Sequence, residues 1–179
     1  MDSRTTDAAA PIRIDRARTD DLPRSLAVQH RAFTRVALWL GIDDHSQLPP
    51  VAETLGEVER LVDEEGAIVM VARAGEAPDA PIVGTVRGLC SEDGSVEVGR
   101  LGVDDGWEGR GIGRALMLAL EDAYPDVERF VLFTGREAVG PIGLYESLGY
   151  RIVRDEEVRP GMFLVWLEKC RGRRVDSGA

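Results

Sequence analysis

Glu108-Gly109-Arg110-Gly111-Ile112-Gly113-Arg114 is the stretch on which the fold turns. Before it, Val96 to Val103 reads as a strand. After it, Ile112, Leu116, Leu120 and Ala123 recur on one helical face until Pro125 bars continuation, which predicts a helix over Gly111 to Tyr124. Glycines at a strand-to-helix turn let backbone N–H groups approach an anion. The unpaired amides and positive dipole end of the helix favour phosphate there. A Walker loop is excluded because no Gly-Lys-Ser/Thr occurs, and the dinucleotide fingerprint fails because its third glycine would fall on Arg114.

Outward from this turn, Phe130 to Phe133 supplies the next strand and completes a β-α-β unit. Upstream, the apolar run Ala67 to Ala72, turn residues Gly75 to Pro81 and Ile82 to Leu89 read as an antiparallel hairpin, and Asp93-Gly94 turns into the strand from Val96. Leu55, Val58, Leu61 and Val62 are spaced as a helix stopped by Gly66. A first strand at Ile12 and Ile14 precedes a helix that starts around Thr19 to Pro23 and runs to about Phe33. Ala37 to Pro50 reads as irregular. Downstream, a short helix beginning at Pro141 is followed by two strands, Tyr150 to Val153 and Met162 to Leu167.

The chain has 179 residues, enough for one domain with its own core. Residues 11–171 are expected to form it, with 1–10 disordered and 172–179 a flexible tail. Twenty-two basic against 32 acidic residues give a net charge of -10, which argues against nucleic acid and anionic membranes as partners. Cys90 and Cys170 form no metal or redox motif. With no signal-peptide pattern and no apolar run long enough to span a bilayer, a cytoplasmic location is expected.

Glu108 to Arg114 resembles the phosphate-binding loop of the GNAT superfamily of N-acetyltransferases, usually written Gln/Arg-x-x-Gly-x-Gly/Ala. Two further segments share the resemblance. Val96-Glu97-Val98-Gly99-Arg100-Leu101-Gly102-Val103 is similar to the family's fourth strand, and Leu144-Tyr145-Glu146-Ser147-Leu148-Gly149-Tyr150 to its Leu-Tyr-x-x-x-Gly-Phe/Tyr signature. The expected fold is a single α/β (α+β) domain with a mixed, mostly antiparallel sheet of six or seven strands and about four helices. The resemblance implies that this sheet opens in a V after its fourth strand.

The resemblance also implies that acetyl-CoA is the co-substrate. Backbone at Leu101, Gly102 and Val103 would meet the pantetheine arm, and amides of Gly109, Arg110, Gly111, Ile112, Gly113 and Arg114 the pyrophosphate. Tyr145 would protonate the departing thiolate, and Glu97, His45 or a water would serve as base for a primary amine. An ammonium must lose a proton before it attacks, and a phenol assists a leaving thiolate. No cysteine or serine carries an evident activating base, so direct attack fits better than a covalent enzyme intermediate. A non-catalytic acyl-CoA-binding sensor domain is the alternative. Glu108 departs from the family's first loop position, and Ala138 from an asparagine or glutamine often found before the tyrosine.

The acceptor is expected to be a small-molecule or peptide amine. The net charge and the acidic residues Asp43, Asp44 and Glu53 lead to the expectation that it is cationic. Trp39, Leu38 and Leu40 either line its pocket or pack beneath helices. The family resemblance further implies a homodimer.

Overall fold

The computed structural model describes residues 10–39, 42 and 44–171. The terminal segments expected to be disordered or flexible fall outside this set, apart from Ala10, as do Leu40, Asp43 and the side chain of Trp39. One sheet of seven strands runs through the chain: β1 (Ile12–Arg16), β2 (Ile68–Ala74), β3 (Ile82–Cys90), β4 (Val96–Val103), β5 (Arg129–Gly135), β6 (Arg151–Arg159) and β7 (Met162–Cys170). Its spatial order is β1-β2-β3-β4-β5-β7-β6. Every pairing is antiparallel except β4 with β5.

The helices are α1 (Leu22–Trp39), α2 (Pro49–Ala52), α3 (Leu55–Asp63), α4 (Ile112–Asp122) and α5 (Val139–Ser147). Strand β2 is apolar on both faces because it lies between two helical layers. Val69 and Val71 pack with Leu22, Leu26 and Val58 of α1 and α3. Met70 and Ala72 pack on the other face with Ile112, Leu116 and Leu120 of α4. The larger core continues across β5 and β7 through Phe130, Leu132, Val165 and Leu167 to Tyr145 and Leu148. None of the described helices is long and apolar enough to cross a membrane.

Four elements differ from the reading of the sequence, one being the short helix α2, which starts at Pro49 inside the stretch read as irregular and makes a fifth helix. Helix α1 reaches Trp39 rather than Phe33, since the buried Ala32 and Ala37 extend its packed face. Helix α5 begins at Val139, not Pro141. The amide that proline lacks falls in the first helical turn, where no helical carbonyl would receive it, and Ile142 N–H closes the first bond to Ala138 O at 3.0 Å. Strand β6 runs to Arg159 although all nine of its residues are exposed, because an edge strand is held by its ladder to β7 rather than by burial.

A buried ion pair ties the first helix to the sheet. The Asp21 carboxylate, 0 % exposed, accepts from Arg73 Nη2 at 2.6 Å, Arg24 Nη2 at 2.9 Å and the Arg18 amide at 3.0 Å. Burial alone would raise its pKa, but the donors from Arg73 and Arg18 outweigh it and hold the group at about 2. Asp21→Asn leaves the Arg73 charge, 2 % exposed, short of its inner partner. The expected loss is roughly 3–5 kcal/mol, read from the denaturant midpoint. The folded value is depressed, so this contribution is complete above the unfolded value of about 4. It disappears as pH falls through about 2.

Candidate functional site

The site begins where the sheet comes apart. Strands β4 and β5 pair only through Val96 with Phe130 and Glu97 with Val131, after which β5 continues alongside β7. On its other edge β4 carries a bulge. Thr85 faces Gly102 and Arg87 faces Gly99, so Arg100 and Leu101 together oppose Val86. Arg100 has φ 59°, the left-handed region, alone among the described non-glycine residues. Past the bulge, Leu101 and Val103 turn toward the α4 core, while Gly102 turns toward α1. A Cβ at Gly102 would stand 2.9 Å from Ala32 Cβ, so glycine is what lets α1 lie close over the opening.

The predicted loop fills the mouth of this split. Gly111 caps α4 in the left-handed conformation at φ 78°, and the first helical bond is Ala115 N–H to Gly111 O at 3.0 Å. The amides of Ile112, Gly113 and Arg114 precede that bond and have no helical carbonyl. Arg110 stacks on the Trp107 ring at 4.7 Å, and Arg114 Nη1 donates to Ser147 Oγ at 3.1 Å. Glu108, whose charge is unwelcome beside phosphate, is held by Arg35 of α1, which donates to Glu108 Oε1 at 2.6 Å and to Val103 O at 2.8 Å.

A cleft of about 590 Å³ results, walled by α1, the end of β4, the loop and α5. It brings together Leu101, Gly102, Val103, Gly109, Gly111, Ile112, Gly113, Arg114 and Tyr145 of the predicted site. Arg110 and Glu97 do not line it. Tyr145 is 8 % exposed, its hydroxyl has no hydrogen-bond partner among the described residues, and burial pushes its phenol up to about 12. It is therefore fully protonated at neutral pH. Glu97 is exposed on the opposite face of β4, beside Val131 at the last paired rung before the split.

His45, the alternative base, has its Nδ1 buried with no hydrogen-bond partner among the described residues, and His30 Nε2 lies 2.9 Å from Glu53 O. Glu53 differs from its expected role as part of an acidic wall. It is 8 % exposed and accepts from Arg87 Nη2 at 2.7 Å, Gln29 Nε2 at 2.7 Å and Arg100 Nε at 3.3 Å. Burial would raise its pKa, yet the donors from Arg87 and Gln29 and the charge of both arginines hold it below the usual value. Its charge is therefore already matched. Sequence reasoning missed this cluster because its members come from α1, the α2–α3 link, β3 and β4, with no local spacing to betray them.

A glycine-capped helix at the opening between the two parallel strands of a mixed sheet is the architecture of an acyltransferase fold. Residues 65–152 match the family model described as Acetyltransferase (GNAT) domain, so over that stretch the chain carries a GNAT-type domain. Solved structures share the fold. PaiA N-acetyltransferase from Thermoplasma acidophilum, in complex with coenzyme A, is 15% identical with a TM-score of 0.71, covering 90% of this chain and 99% of that one. A candidate acyl-CoA N-acyltransferase from Klebsiella pneumoniae is 25% identical, with a TM-score of 0.60 over 89% of this chain and 97% of that one. The yncA protein of Salmonella typhimurium, solved with its cofactor acetyl-CoA, is 16% identical, with a TM-score of 0.67 over 94% and 98%. No curated protein matches the sequence.

Proposed function

We propose that residues 11–171 form an N-acetyltransferase that moves an acetyl group from acetyl-CoA to a primary amine by direct attack. The observation that carries this reading is a single cleft holding both the open amides of the α4 N-terminus and an unpartnered, fully protonated phenol. Acetyl-CoA supplies an acetyl thioester. The amides from Gly109 to Arg114 hold its pyrophosphate, with help from the helix dipole. Backbone groups of Leu101, Gly102 and Val103, on a strand edge without a neighbour past Glu97, hold the pantetheine arm and polarise the carbonyl.

Glu97 takes the proton that the acceptor ammonium must lose, and the freed nitrogen attacks the carbonyl carbon from the face opposite α4. As the carbon–sulfur bond breaks, Tyr145 gives its proton to the sulfur, and the second proton that the nitrogen sheds on becoming an amide returns through water to the phenolate. The acceptor arrives as an ammonium, cationic at the reacting nitrogen, in keeping with a net charge of -10. Glu108 no longer favours a merely binding domain, since Arg35 takes up its charge. The expected homodimer finds support in the free edge of β6, where Ile152, Val153 and Val158 are exposed. A screen of diverse amines with acetyl-CoA should release free thiol. A thermal shift with acetyl-CoA but no thiol from any amine would instead assign a sensor domain.

A further inference from the structure

Beside the split, on the face that α1 crosses, lies a charge arrangement that the proposed reaction leaves unused. Glu53 is bonded by both Arg87 and Arg100, so one carboxylate meets two guanidiniums and the cluster keeps an excess positive charge. The excess resides on Arg100. Arg87 is 12 % exposed and bonds Glu53 through a terminal nitrogen, whereas Arg100 is 22 % exposed and bonds only through Nε. The two terminal nitrogens of Arg100 have no partner among the described residues, and they form the planar fork that suits a carboxylate.

Its position makes that fork useful. Arg100 sits in the bulge immediately before Leu101, at a left-handed φ that glycine would adopt without strain. Holding a side chain there costs conformational energy, a pattern that marks ligand-contacting positions. Three residues earlier, on the same face, Glu97 is exposed and makes no ion pair among the described residues. Across the opening, Phe133 is 43% exposed and packs at a tilt against Trp166, ring centroids 4.9 Å apart, two residues beyond the Glu97–Val131 rung. The face thus offers an anion for an ammonium, an open guanidinium for an anion and an apolar wall.

We propose that Arg100 selects acceptors that carry a carboxylate beside the reacting amine, so that a small amino acid, preferably with an apolar side chain, is the acceptor class. This rests on the acetyl-transfer reading. Its carboxylate pairs with the Arg100 fork while its ammonium meets Glu97, and a charged pair of this kind fixes register as well as affinity.

The test compares L-phenylalanine, L-leucine and L-glutamate with their C-terminal amides, beside spermidine, reading thiol release at matched free-amine concentrations. The wild type should show at least a tenfold higher kcat/KM for phenylalanine and leucine than for their amides. Arg100→Gln should bring that ratio toward one, and Arg100→Lys should restore part of it. Glu53 keeps Arg87 and Gln29 in both variants, so the cluster remains paired. A general structural defect would lower both rates and leave the ratio intact. A wild-type ratio near or below one, a ratio unmoved in Arg100→Gln, or turnover with spermidine alone overturns this inference and leaves acetyl transfer standing. No thiol release from any of these amines overturns both.

Discussion

Gly113→Asp is expected to weaken acetyl-CoA binding by about 100-fold or more while the protein stays folded, a change of about 2.7 kcal/mol in binding energy. Gly113 is the second residue of α4, its amide is one of the three open donors, and it lines the cleft. A carboxylate there occupies the space of the pyrophosphate and opposes its charge. At about 4 Å one such repulsion costs roughly 1 kcal/mol in water and several times more where the effective dielectric is lower. For the helix itself the sign is reversed, since an acidic residue in the first turn complements the dipole by about 0.3–1 kcal/mol. A Cβ at this position meets Leu144 Cδ2 at 3.3 Å, the movable end of a side chain. Gly111→Asp is the less clean probe, because φ 78° strains any side chain. Calorimetric titration with acetyl-CoA together with a melting curve checks the result. Unchanged affinity in the folded variant would remove the loop from cofactor binding.

Tyr145→Phe should lower kcat by roughly ten- to several-hundred-fold and leave acetyl-CoA affinity nearly intact, the signature of an interaction made only as the bond breaks. The ring keeps its place in the core, 6.1 Å from Tyr150 in an edge arrangement, so packing survives the loss of the hydroxyl. Because burial holds the phenol at about 12, it stays protonated across the usual assay range. The variant's pH profile should therefore keep its shape between about pH 6 and 10 while shifting down as a whole. Glu97→Gln should also slow the reaction, with the remaining rate following the free-amine fraction of the acceptor. Wild-type turnover in Tyr145→Phe would pass the proton to water, and in Glu97→Gln the base role to water or His45.

The cleft itself was legible because its signals are local. Glycines at a strand-to-helix turn, a helix with one apolar face and the Leu144-Tyr145 pair each act within a few residues of chain, and the cleft gathers them as expected. The Glu53 cluster on the other face was not legible. Glu53 looked like a free acid in a polar stretch, and only the fold brings Arg87 and Arg100 to it. The bulge that turns Arg100 is equally silent, since Gly99-Arg100 alternates like any strand. Strand β6 shows the same limit: the sequence reading ends it at Val153, since Arg154 to Arg159 is charged but for Val158 and backbone pairing at an edge leaves no hydrophobic trace.

The two rungs that join β4 to β5 have a mechanical meaning. One half-sheet ends at β4 and the other begins at β5, and between them run those two rungs, the Arg129–Asp93 ion pair and the side chains beneath α4. The wedge where a thioester would lie is thus the most sparsely paired seam of the sheet. A ligand that bridges it acts as mortar, adding about 2.7 kcal/mol to folding when present at a hundred times its dissociation constant. A donor seated there would leave the protein sturdier loaded than empty, by an amount that its concentration sets.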